Sequence, residues 1–142
     1  MPHEDGGAYH PLVATVSLGG VVCLDLYAKG GGNGKGDGGM DEEEQEKGLG
    51  PGRRPVYRIL QERRSLLITR DSIYRDYLHG IAGREVEEDL TPESICNWFL
   101  LGDAERFRAG WCRRETRVSL TYRDVLKVAK VGNTMKFLNK HQ

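Results

Sequence analysis

Alternation of apolar and polar positions dominates the ordered parts of this chain. Residues 11–27, PLVATVSLGGVVCLDLY, set Leu12, Ala14, Val16 and Leu18 against Val13, Thr15 and Ser17. Period two is the signature of a half-buried strand. Gly19-Gly20 divides the run into two segments of strand length, which predicts a β-hairpin or a kinked strand pair. VYRIL (56–60) and SLLIT (65–69) bracket the charged QERR and predict a second hairpin. In residues 72–86 the first half suits a single helical turn, and LHGI at 78–81 suits the start of another strand. RVSLTYR at 117–123 alternates strictly. Arg117, Ser119, Thr121 and Arg123 share one face; Val118, Leu120 and Tyr122 share the other.

One stretch carries a helical signal. Thr91-Pro92-Glu93 supplies an N-cap, a proline at the first helical position and an acid in the first turn. Ile95, Trp98 and Phe99 follow at i, i+3 and i+4, so Trp98 and Phe99 are expected to be core contacts of a helix over 92–101. The spacing predicts a helical insertion over 91–110 in a chain with six or seven strand candidates.

Residues 29–52 differ in kind: ten of the 24 are glycine and six are acidic. Such a segment buries too little apolar surface to offset its chain entropy and is expected to be a disordered loop inside a single domain. It lacks the spacing of a phosphate-binding glycine loop, and its acids repel phosphate. The loop also explains part of the composition, 38% hydrophobic and 30% charged. A length of 142 residues suits one domain. Zero formal net charge argues neither for nor against a nucleic-acid partner. The three cysteines, Cys23, Cys96 and Cys112, have no C-x-x-C spacing, so they suit buried small hydrophobes in a reducing, intracellular compartment. No apolar run is long enough to cross a bilayer, so no membrane partner is expected.

The candidate chemistry starts at the third residue. His3 and Asp5, two apart, point the same way on an extended backbone. An imidazole and a carboxylate on one face are either two ligands of a first-row metal or part of a polar tail. Two histidines and one carboxylate with open positions make the facial triad of non-haem Fe(II) oxygenases. The third ligand would be His79, because His10 lies on the approach to the next strand and His141 lies in the tail. The polar face of 117–123 carries an arginine at each end, with Cα atoms ~20 Å apart. These are either solvated arginines of an edge strand or a clamp for a small dianion, since the guanidinium fork matches a carboxylate.

HED at 3–5, LHG at 78–80 and RVSLTYR at 117–123, in that order, resemble the AlkB family of Fe(II)/2-oxoglutarate-dependent dioxygenases, whose pattern is H-x-D, a distal His and R-x5-R. PHEDGGAYHPLVATVSLGG, RSLLI, YLHGI and TRVSLTYRDV look like segments of one eukaryotic branch of that family. Only the glycine/acid loop is unlike it. The resemblance implies a mainly β fold, a double-stranded β-helix (jelly roll, cupin-like), here N-terminally incomplete. It implies Fe(II) held by His3, Asp5 and His79, and 2-oxoglutarate and O2 as co-substrates. Arg117 would pair with the distal carboxylate of 2-oxoglutarate, Arg123 would support its other end or the site wall, and Ser119 would contact it. The implied reaction is oxidative demethylation or dealkylation, through a ferryl oxidant, with release of succinate and CO2. The implied substrate is alkylated DNA or RNA, in the cytoplasm or nucleus.

In the family a long portion precedes H-x-D and supplies early strands, a nucleotide lid and an Asn-x-Tyr pair. Only Met1 and Pro2 precede His3 here. The chain therefore looks like the C-terminal catalytic half of a longer protein, with unpaired sheet edges and an exposed apolar face, and alone it is expected to be marginally stable and weak or inactive. The competing reading is a truncated, non-catalytic binding module or pseudoenzyme whose tail, with four lysines after Asp124, touches phosphates. Base, strand type and oligomeric state are not legible.

Overall fold

The computed structural model describes residues 1–29 and 54–127. The architecture is mainly β with antiparallel pairing, consistent with a jelly-roll-like fold. Eight strands occur among the described residues: β1 (Tyr9–Gly19), β2 (Val22–Ala28), β3 (Tyr57–Gln61), β4 (Ser65–Arg70), β5 (Tyr77–Gly80), β6 (Val86–Glu88), β7 (Trp111–Arg113) and β8 (Arg117–Val125). A six-residue helix, α1 (Asp71–Asp76), leads into β5, as the pattern of 72–86 predicts. The glycine/acid loop beyond Lys29, and the tail lysines beyond Lys127, lie outside the described residues.

The second predicted hairpin does not form, and of the two alternatives at Gly19-Gly20 the kinked strand pair is the one observed. One sheet has the order β4-β1-β8 and another β3-β2-β5, so β1 and β2 sit in different sheets, as do β3 and β4. The Gly19-Gly20 and Glu62–Arg64 connections are corners between sheets. At the first corner Gly19 has φ +91, and a Cβ on it would lie 2.5 Å from the carbonyl oxygen of Thr116. Gly20 donates its N–H to that same oxygen at 2.8 Å. The glycine pair is thus needed for close approach of two backbones and not for a two-residue turn.

The two sheets differ in what their faces meet. In β2 the residues alternate between two buried sides. Leu24 and Leu26 face a cavity between the sheets. Cys23 and Leu60 of the neighbouring strand join Val21, Leu90, Ile95, Phe107 and Cys112 in the hydrophobic core on the far side. Burial on both faces explains the near-continuous apolar run VVCLDL. In β1 the buried side is Val13, Thr15 and Ser17, whereas Leu12 and Leu18 are exposed. Val118, Leu120 and Tyr122 of β8 are 53%, 44% and 58% exposed, and Leu66 and Ile68 of β4 lie open on the same face. The apolar outer face expected from the sequence is therefore present, and the opposite face of β1 and β8 borders the cavity between the sheets, with Ser119, Thr121 and Arg123 still exposed.

The segment 91–110 forms no α-helix. It makes short 3-10 turns, Trp98–Leu100 and Ala104–Phe107. The Thr91 cap operates, with the Ser94 N–H donating to Thr91 Oγ1 at 3.2 Å and the Ile95 N–H to the Thr91 carbonyl at 3.0 Å. Asn97 then turns to the edge of β3, donating Nδ2–H to the Leu60 carbonyl and accepting the Leu60 N–H, both at 2.9 Å. This side-chain pairing docks the turn on the sheet in place of a continued helix. Trp98 packs against the core as expected, but Phe99 is 90% exposed and is no core contact. Cys23 and Cys112 are buried, whereas Cys96 is exposed. No helix among the described residues is long and apolar enough to cross a membrane.

Beneath β2 lies a network of buried charge. Glu87 is fully buried, accepts the Cys23 N–H at 2.8 Å and pairs with Arg114. Asp25 is buried between Arg58 and Arg84. Burial, with help from Glu87, pushes the Cys23 thiol up to about 12.

Candidate metal centre and anion pocket

The N-terminal segment is held as an added rung on β5. His3 and His79 exchange backbone hydrogen bonds, N–H to carbonyl oxygen at 2.9 Å in both directions. Directly opposed residues in an antiparallel pair project to the same side, and the two imidazoles sit with ring centroids 4.5 Å apart. The following glycine, Gly80, permits this rung: a Cβ there would lie 3.1 Å from the Cα of Pro2. Gly6, at φ +79, turns the chain just after Asp5. The Tyr74 hydroxyl donates to the Gly6 carbonyl at 3.0 Å and holds that turn against α1.

His3, Asp5 and His79 each offer a ligand atom, and these atoms lie within 4.8 Å of one another. That convergence, from two histidines and one carboxylate, fits a first-row divalent metal with open positions. His3 Nδ1 is 3.2 Å from the Met1 carbonyl oxygen. A carbonyl only accepts, so the proton belongs on Nδ1 and the Nε2 lone pair is presented outward. Burial, reinforced by His3 and Arg123 and opposed by Asp5, lowers the His79 pKa and favours the neutral, ligating imidazole. Asp5 Oδ1 accepts from Arg123 Nη2 at 2.6 Å, which fixes the carboxylate. The Arg123 guanidinium also lies over the Tyr9 ring, 5.7 Å from its centroid.

Asp5 and His79 line one wall of a cavity of about 140 Å³ between the two sheets. That volume has room for on the order of ten water-sized positions. The inward face of β8, Arg117, Ser119, Thr121 and Arg123, lines another wall, with Thr15 of β1 and Thr69 of β4 beside it. All four polar positions of β8 thus reach one cavity, but the arginines have different surroundings. Arg123 stands at the metal-ligand end, paired with Asp5. Arg117 lies at the other end, beside the corner made by Gly19-Gly20. Its Nη2 donates to Ser17 Oγ at 3.1 Å and to Gln61 Oε1 at 2.9 Å.

Among the described residues Arg117 meets no carboxylate. The other inward arginines, Arg58, Arg84 and Arg114, pair with Asp25 or Glu87. Arg117 Nε is buried without a hydrogen-bond partner, and burial lowers the pKa of the guanidinium. A desolvated cation held only by neutral groups is an anion site waiting for charge.

Residue patterns did not single out Gln61, Ser17 or Tyr74. Gln61 belongs to the charged QERR turn in sequence, and its burial follows only from its place at the end of β3 opposite Val22. Ser17 had a legible signal, the strict alternation of β1.

No protein-family model matches the chain. It is 38% identical over 132 residues to a zebrafish (Danio rerio) protein described as "Probable RNA/DNA demethylase ALKBH6". The match takes in 93% of this chain and 50% of that relative, so the chain spans half the length of the curated relative it matches.

Proposed function

We propose that this chain, with its likeness to ALKBH6 along 93% of its length, belongs to the AlkB family and carries the metal and co-substrate site of an Fe(II)/2-oxoglutarate-dependent dioxygenase. The observation that carries the reading is the shared cavity: Asp5 and His79, clustered with His3, at one end and Arg117, which meets no carboxylate among the described residues, at the other. His3, Asp5 and His79 would hold Fe(II), which with 2-oxoglutarate and O2 supplies oxidative removal of a methyl or alkyl group, leaving succinate and CO2.

The chain's own residues have separable tasks. Arg117 receives the distal carboxylate of 2-oxoglutarate through a guanidinium that no acid among the described residues occupies. Ser119 and Thr121 lie along the wall between the two arginines and offer hydroxyls to the bound dianion. Arg123 orients Asp5 through Nη2 and, lining the same cavity, supports the other end of the co-substrate or the site wall. Leu24, Leu26 and Leu67 close the cavity with apolar surface, lowering the local dielectric around the charges. The relative's description makes alkylated RNA or DNA the proposed substrate class, which is an inference by kinship. An intracellular setting, in cytoplasm or nucleus, is part of the same proposal and rests on the cysteine pattern.

Calorimetric titration of 2-oxoglutarate into the chain with Mn(II), without oxygen, tests the reading. Saturable binding that requires metal is the expected result. Binding that is equally tight without metal, or unchanged in Asp5→Ala and His79→Ala, would refute it.

A further inference from the structure

We infer that Gln61 is a positioning residue of the anion site: its neutral amide aims the Arg117 guanidinium into the cavity while leaving that positive charge available to a carboxylate ligand. The inference rests on the co-substrate reading above and assigns a task to a residue outside the family pattern.

Gln61 is 3% exposed, the last residue of β3, and it borders the cavity. Its Oε1 accepts from Ser17 Oγ at 2.9 Å and from Arg117 Nη2 at 2.9 Å. Ser17, fully buried, accepts from the same Nη2 at 3.1 Å. Three side chains from three strands therefore close a small ring of hydrogen bonds. Nη2 is engaged within it and Nε is buried, so Nη1 is the donor left for a ligand.

A glutamate has the same size and would hold Arg117 more tightly. Elsewhere in the interior the fold does hold arginines with acids, Arg114 by Glu87 and Arg58 by Asp25. At Arg117 an acid would neutralise the guanidinium and repel an incoming carboxylate. A neutral acceptor fixes direction without cancelling charge. A purely structural role has no use for that distinction, because an ion pair would satisfy both buried groups at least as well. The contrast between glutamine and glutamate therefore separates positioning from packing.

The test uses the full chain with Gln61→Glu and Gln61→Met, and Arg117→Ala as control. Calorimetry with 2-oxoglutarate and Mn(II) is run beside thermal unfolding and beside ligand-free NMR of the Arg117 guanidinium protons. Gln61→Glu is expected to melt at or above the parent temperature and to bind 2-oxoglutarate at least tenfold more weakly. Affinity within threefold of the parent would overturn the proposal. Without ligand, separate, slowly exchanging Arg117 Nη signals are expected in the parent and in Gln61→Glu, and averaged signals in Gln61→Met. Unchanged signals in Gln61→Met would overturn it as well. If the parent binds no 2-oxoglutarate and Arg117→Ala changes nothing, the co-substrate reading fails, while the NMR contrast still decides whether Gln61 directs Arg117.

Discussion

Replacing Arg117 with methionine should move stability and ligand binding by very different amounts. Methionine keeps an unbranched stem for packing and removes the guanidinium. In the free chain the substitution deletes the Arg117 donations to Ser17 and Gln61, but Ser17 Oγ still donates to Gln61 Oε1, so neither partner is orphaned. It also removes a half-buried cation that meets no acid among the described residues, together with the unpartnered Nε. These contributions have opposite sign, and the net change in unfolding free energy should stay within about 2 kcal/mol. Breaking a truly paired buried charge costs about 3–5 kcal/mol. In the bound state the loss is one-sided. Two charge-assisted hydrogen bonds to a carboxylate contribute about 1.5–3 kcal/mol each, and each 1.4 kcal/mol is about tenfold in affinity. A loss of about 100-fold or more in 2-oxoglutarate affinity is therefore expected. The assay is anaerobic calorimetric titration with Mn(II), paired with urea unfolding of the same samples. Affinity within threefold of the parent would refute the assignment of Arg117. A collapse of the fold would refute the claim that its charge is unneutralised.

Asp5→Asn and His79→Ala should each reduce Co(II) or Mn(II) affinity by more than the ~10–100-fold typical of groups that only support ligands; smaller losses measured by calorimetry would remove that residue from the metal set. The depressed pKa of His79 also has a consequence for stability. The fold prefers the neutral ring, so its contribution is level above the ordinary imidazole value of 6.5 and is lost as pH falls below it. Urea unfolding of metal-free chain should weaken between pH 7 and 5, and His79→Gln should flatten that slope; an unaltered slope would assign it to other groups. Glu87→Ala orphans Arg114 and the Cys23 N–H beneath β2, and a loss of about 3–5 kcal/mol is expected in urea unfolding. With its thiol pushed up to about 12 by burial, Cys23 should resist alkylation at pH 8 in the folded chain while exposed Cys96 reacts, as peptide mass mapping would show.

Much of the site was legible as a list of residues. H-x-D, the later L-H-G and the alternating R-x-S-x-T-x-R are local patterns, and local patterns survive in one dimension. Strand positions were legible for the same reason, since period-two alternation is a property of each segment. What those strands pair with was not. Gly19-Gly20 and QERR have the length and composition of hairpin turns, yet each connects two sheets, because every strand finds its partner far along the chain. The helix over 92–101 failed for a similar reason: Asn97 has a better use on the β3 edge than in a helical turn, and that edge is invisible from 92–101 alone.

The amino-acid order by itself determined the donors, two imidazoles, a carboxylate and two arginines on one face of a strand, and the apolar positions of the opposite face. Tertiary structure decided which of them act together. It set His3 opposite His79 across a single rung, gave Asp5 to Arg123, and placed Arg117 between Ser17 and Gln61 with no acid in reach among the described residues. The physical reason is the range of the forces involved. Alternation and turn propensity depend on neighbours in the chain, whereas ligand convergence, desolvation and the neutralisation of a charge depend on neighbours in space.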